Sequence, residues 1–304
     1  LTLGYMISAG GKLLTFQSVR ERSSKFCSDR EWNKFHTPVN LALALAGECG
    51  EVCEIFQWKG SLENDHNSDA LFTEKEKVNI GEEIADVFIY TTRLSDVCSI
   101  DLSHSVRQIF NQQPSIFEFK LPIIASKMTV LRSNQMIEPW DNLNLSFLSE
   151  SAIDIKKYPS FRSSRHIALS LQSQVGEVCK LFGSKSESDC VAGLINWPTS
   201  DVSQLATLLG TICILLMFLA HHCNHSLSTC ISDKFDKNEA KYPADLSKGS
   251  SAKYTQYSQY VQQKTAAANI RDNVVSNSQI KLPTVVLVIA AAVTIGFVLG
   301  VRRS

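Results

Sequence analysis

The sequence predicts an all-α protein built from two related helical halves, followed by a polar spacer and one apolar C-terminal helix. Three observations carry this. Long stretches without Pro show helical apolar spacing, and strand signals are absent from residues 1–112. A segment recurs at a fixed offset. An uncharged run closes the chain.

Leu41 to Trp58 runs without Pro and has the dense apolar content of a mostly buried helix. Glu74 to Cys98 reads as a second long helix, with Val78, Ala85, Val87, Ile89 and Leu94 supplying apolar faces, and Asp101 or Ser103 is placed to cap a third. The repeat sets Asn40–Phe56 (NLALALAGECGEVCEIF) against His166–Phe182 (HIALSLQSQVGEVCKLF) at an offset of 126. Val97-Cys98 and Leu102-Ser103 then match His222-Cys223 and Leu227-Ser228 at 125. The expected organisation is a first helical half at 1–112, a linker at 113–138, a second half at 139–243, a polar spacer at 244–281 and an apolar anchor at 282–301.

The anchor rests on residues 284–301, which carry no charge and would span about 27 Å as a helix, close to a bilayer's hydrocarbon thickness. Lys281, Arg302 and Arg303 flank it. With three residues beyond it, the expectation is a tail-anchored protein with its body in the cytosol, on the mitochondrial outer membrane, the peroxisome or the endoplasmic reticulum. Residues 1–14 show no signal-peptide pattern, and the opening Leu1 in place of Met suggests a start further upstream. Nine scattered cysteines, an odd count without C-x-x-C spacing, read as reduced thiols. The 30 basic residues balance 30 acidic ones, which removes any whole-protein field toward nucleic-acid polymers, so phosphate binding must be local.

Glu48 and Glu51 are three apart on the first long helix, and Glu83 and Asp86 repeat that spacing on the second. Set in otherwise apolar stretches, four such carboxylates suit a hard cation such as Mg²⁺. Solvated helix faces are the plain alternative. His221, His222, Cys223 and His225 form a weaker grouping at a helix end, and no glycine-rich phosphate loop is present.

The pattern Glu48-x-x-Glu51…Glu83-x-x-Asp86 resembles the signature of the MazG-like and type-2 dUTPase superfamily of all-α nucleoside-triphosphate pyrophosphatases. The flanking text is closest to its dCTP pyrophosphatase branch: Arg30-Glu31-Trp32-Asn33-Lys34-Phe35-His36, Leu45-Ala46-Gly47-Glu48, Phe56-Gln57-Trp58-Lys59 and Glu82-Glu83-Ile84-Ala85-Asp86-Val87-Phe88-Ile89-Tyr90. The resemblance implies Mg²⁺ held by Glu48, Glu51, Glu83 and Asp86, and hydrolysis between the α- and β-phosphates. Glu82 or Glu54 is left as the proton acceptor. It also implies a base pocket of Trp32, Trp58 and Tyr90 with His36 and Lys59 beside it, and a homo-oligomer, here a dimer of tandem chains. The second half loses the acidic set, since Gln174, Leu208 and Thr211 stand where Glu48, Glu83 and Asp86 would repeat. It keeps Lys234, Asn238 and Lys241 before Tyr242-Pro243, which resembles the family's phosphate-side segment; the first half has Ile109, Gln113, Phe117 and Glu118 at the matching places. The expectation is one active site shared by both halves. A membrane-tethered interaction protein that kept the fold and gave up catalysis is the alternative.

Overall fold

The structure is a computed structural model that describes residues 14–59, 72–112, 145 and 163–251. The expected linker at 113–138, the spacer beyond 251 and the apolar run at 284–301 lie outside the described residues. Among the described residues the secondary structure is helical: α1 Phe16–Asp29, α2 Pro38–Phe56, α3 Glu74–Val97, α4 Leu102–Gln112, α5 Ser164–Gly183, α6 Thr199–His222, α7 Leu227–Lys241 and the single turn α8 Ala244–Ser247. They form one compact unit.

Local chemistry fixes the helix starts. Thr37 Oγ1 accepts from the Asn40 amide at 3.2 Å, and Pro38 follows with its φ already set for a first helical turn. Thr73 and Glu76 form a reciprocal capping box at α3. Asp101 rather than Ser103 takes the amide of His104, at 2.8 Å, to start α4. Ser163 and Ser226 cap α5 and α7.

The packing has an internal symmetry. Helix α2 packs on α5, α3 on α6, α2 on α3, α5 on α6, α4 on α6 and α3 on α7. Exchanging α2 with α5, α3 with α6 and α4 with α7 returns the same set of pairs. Details obey the same exchange. The Cys53 thiol points at Ala168 O (3.7 Å) and the Cys179 thiol at Ala42 O (3.9 Å). The turns after α3 and α6 each place one residue in the left-handed region, Ser99 at φ 58° and Asn224 at φ 55°. Each turn is then closed by one amide, Ile100 to Ser95 O and His225 to Ala220 O, both at 2.8 Å.

The core runs between these helices, from Phe16, Leu41, Ile84 and Phe88 to Leu171, Leu209, Leu216 and Phe235. Helix α6 is the greasiest element. It is long and apolar enough to cross a membrane by length and composition, yet 67% of its most apolar stretch is buried in the bundle, as in a core helix.

The polar stretch expected to begin at residue 244 belongs to the folded body as far as residue 251. The segment after α7 folds back onto the turn after α1. Arg30 Nε donates to Tyr242 O at 2.7 Å, Trp32 Nε1 to Ser247 O at 3.1 Å, and the Gly249 amide to Arg30 O at 2.8 Å. Gly249 adopts φ +70°, a conformation that a side chain would strain.

Candidate active site

Helices α2 and α3 bring Glu48, Glu83 and Asp86 together, with one oxygen from each carboxylate within 4.8 Å of the others. The helical spacing explains this: Glu83 and Asp86 lie three apart on one face of α3, which packs on the face of α2 that carries Glu48. Glu83 is only 8% exposed, and its Oε2 is buried with no hydrogen-bond donor. A buried acceptor without a donor is costly, and a cation would relieve the cost. The donor set is all oxygen, which suits a hard divalent ion. These residues therefore fit a metal such as Mg²⁺.

The fourth carboxylate is placed differently. Glu51 is exposed and stands outside this group of three, at its rim, where its charge still acts on Glu48 and Glu83. Burial, followed by the charges of Asp86, Glu51 and Glu83, pushes the Glu48 carboxyl up to about 7. Burial also lifts Glu83 to about 7, against the opposing pull of Lys234. Asp86 is raised by burial, with Lys234 again pulling the other way.

Lys234 comes from α7 and contacts the Asp86 carboxylate directly, with Glu82 Oε2 at 3.8 Å from the same ammonium. Burial alone would lower the pKa of this lysine; the Asp86, Glu83 and Glu82 charges outweigh it and raise the value. Asn238 and Lys241 follow at helical spacing on α7, Asn238 half-buried and Lys241 with its ammonium 5.7 Å from the Tyr242 ring. Lys237, not singled out from the sequence, pairs with Glu82. A signal for it did exist, because it lies three residues after Lys234 on the same helix. Glu82 is thus engaged by two lysines, while Glu54 is exposed on α2.

The aromatic side of the site is smaller than expected. Trp32 lies edge-on to Tyr242 (5.2 Å) and Phe26 (5.7 Å), with His36 at 6.3 Å. His36 Nδ1 accepts from Arg93 Nε at 3.3 Å, which leaves the ring proton on Nε2 as a donor. Burial and the Arg93 charge lower its pKa to about 4, so His36 is neutral near pH 7. Arg93 is buried and held by Asn33 Oδ1 (2.8 Å) and Asp96 Oδ2 (2.6 Å). Tyr90, one turn after Asp86, has its hydroxyl pKa raised by burial and then by Glu48 and Asp86, which puts it beside the carboxylates.

Trp58 and Lys59 do not join this group. Trp58 is 87% exposed at the far end of α2, and Lys59 pairs with Glu76 at 2.7 Å. Eight residues of helix run from Glu48 to Phe56, about 12 Å along the axis, and Trp58 follows beyond the helix end.

The symmetry-related place between α4 and α6 is filled with apolar matter. Ile109 stands where Lys234 would be, and its Cδ1 lies 2.9 Å from where a Cβ on Gly210 would be. Leu208 is buried in place of Glu83. The His221, His222, Cys223 and His225 grouping does not converge on a metal-sized site; the carboxylate trio is the group that does among the described residues.

Over 92 residues the chain is 39% identical to dCTP pyrophosphatase 1 of Rattus norvegicus and 38% identical to that of Homo sapiens. Part of this chain is similar to dCTP pyrophosphatase 1. The match covers 30% of this chain and 52% of each relative, so the chain spans about half the length of the curated relatives it matches. The same protein of Bos taurus is 37% identical over an equal stretch. No family model matches the chain.

Proposed function

We propose that this chain is a Mg²⁺-dependent nucleoside-triphosphate pyrophosphohydrolase that converts dCTP or a related deoxynucleotide to the monophosphate and pyrophosphate. The observation that carries the reading is the convergence of Glu48, Glu83 and Asp86 around a buried Glu83 oxygen without a donor. The similarity to dCTP pyrophosphatase 1 supplies the substrate class.

Glu48, Glu83 and Asp86 would hold the ion, with Glu51 at the rim. Bound there, Mg²⁺ neutralises phosphate charge and lowers the pKa of a bound water. Lys234, Asn238 and Lys241 present cations and an amide along one face of α7, suited to a polyphosphate as point donors. Trp32 and Tyr90 offer flat apolar surface to a base, and the His36 Nε2–H offers one hydrogen bond to an acceptor atom on it. Glu54 is the better proton acceptor of the two outer carboxylates, because Glu82 is tied to lysines.

The exchange symmetry of the packing supports a duplicated chain whose second half has lost its own acidic site and lends Lys234 to the first. Leu43 and Leu169, equivalent under that exchange, are 64% and 66% exposed, which supports association of two chains; mass measurement in solution tests it. Residues 282–301 are proposed as a membrane anchor, and a chain ending at 281 that still sediments with membranes would refute this.

The decisive experiment assays pyrophosphate release by the full chain from a panel of nucleoside triphosphates with Mg²⁺, beside a Glu48→Gln, Asp86→Asn variant. Release by the wild type that the variant lacks supports the enzyme and ranks its substrates. No release from any nucleotide by the folded chain favours the tethered interaction protein.

A further inference from the structure

Asp86 has two claimants. It belongs to the metal-capable trio with Glu48 and Glu83, and its Oδ2 is in contact with the Lys234 ammonium. A divalent ion bound by Asp86 would sit close beside this ammonium, so two positive charges would compete for one carboxylate and repel each other. Lys234 is buried, with 11% of its side chain exposed, so withdrawal into water is not open to it without unpacking α7 from α3.

A second carboxylate is within reach. Glu82 precedes Asp86 by one turn on the same face of α3, and its Oε2 lies 3.8 Å from the Lys234 ammonium. A shift of about 1 Å would turn that separation into a charge-assisted hydrogen bond. The other Glu82 oxygen, Oε1, is held by Lys237, one turn along α7 from Lys234. Lys237 thus holds Glu82 toward α7, outside the group of three carboxylates.

We propose that Lys234 is a resident counter-ion which the divalent cation displaces from Asp86, and that Glu82, positioned by Lys237, receives it. The inference rests on the metal-site reading above and adds an order to it: Lys234 leaves Asp86 when the ion arrives. Glu82 and Lys237 are then positioning residues rather than members of the metal shell.

The test titrates Mg²⁺ calorimetrically into the metal-stripped full chain without nucleotide. It compares wild type, Lys234→Met, Glu82→Gln and the double variant. Lys234→Met should tighten Mg²⁺ binding about tenfold, a coupling of ordinary size for two linked sites. Glu82→Gln should weaken binding several-fold in the wild-type background but change it less than about twofold once Lys234 is Met. Equal weakening in both backgrounds would mean that Glu82 acts only as a remote charge and would overturn the proposal, as would unchanged or weaker binding by Lys234→Met.

Should Lys234→Met fail to fold, wild-type protein labelled with ¹⁵N-lysine gives an independent readout. The Lys234 ammonium resonance, assigned by its loss in Lys234→Arg, should move as Mg²⁺ saturates. Saturation with that resonance unmoved overturns this proposal alone. No Mg²⁺ binding by the wild type overturns the metal site and this proposal with it.

Discussion

Raising the pH from 5 to 8 in EDTA removes the protons that Glu48 and Glu83 hold in the folded chain. Both titrate near 7 when folded, against an ordinary carboxyl value of 4.5. Between those limits the folded state binds more protons than the unfolded state, so stability falls as pH rises, and it levels off above about 7. The slope is up to about 1.4 kcal/mol per pH unit for each proton held. For Glu83, the better buried of the two, the whole interval amounts to roughly 3 kcal/mol; Glu48 sees more solvent and adds less. His36 works against this trend, because its value is lowered from 6.5 to about 4, and stability from that source rises with pH through the same window. The informative quantity is therefore the difference between the wild type and a Glu83→Gln variant, in which His36 is kept. Thermal melts followed by circular dichroism at pH 5, 6, 7 and 8 should show the variant gaining on the wild type as pH rises, by several degrees at pH 8. Excess Mg²⁺ should remove most of the gap by restoring the wild type. A constant difference across the range would refute the placement of a protonated, buried Glu83 in the metal-free site.

Gly210→Ala should cost about 1–3 kcal/mol, since the new methyl meets Ile109 Cδ1 at 2.9 Å and the Ser105 backbone carbon at 3.2 Å; denaturant titration measures it. The two tryptophans of the first half should behave oppositely. Trp58→Ala should change stability by less than about 0.5 kcal/mol, its ring being exposed. Trp32→Ala should cost about 2 kcal/mol or more through the lost Ser247 hydrogen bond and the packing on Tyr242 and Phe26, and comparable losses would contradict the placement of both rings.

Much of the fold was legible because it depends on local signals. The helical runs from Leu41 and from Glu74 and the cap offered at Asp101 rest on short-range spacing and hydrogen bonds. The acidic trio followed from two carboxylates three apart on α3 and the helix beside it. The distinction between Glu48 and Glu51 was not legible, because it depends on the rotation of α2 about its own axis against α3. The clasp of residues 242–251 on the turn after α1 was hidden for another reason. Its acceptors are the carbonyls of Tyr242, Ser247 and Arg30, and a backbone carbonyl leaves no mark in a sequence. Trp58 stands exposed just beyond the end of α2, and its place in the sequence does not fix whether it faces Trp32 and Tyr90. The Lys237–Glu82 pair needed the registry of α7 on α3, which the pattern of either helix alone does not fix.

Helix α6 also bears on how the chain is made. Of the helices packed against it, α3, α4 and α5 all precede it, and only the lighter contact with α7 comes later. A segment apolar enough to be taken for a membrane span thus leaves the ribosome after most of its shelter has been synthesised. Its companions can cover it within one folding event, before insertion machinery has a naked apolar helix to capture. Were the order of the halves reversed by circular permutation, α6 would emerge ahead of α3 and α4, and the same amino acids would leave the ribosome before that part of their cover.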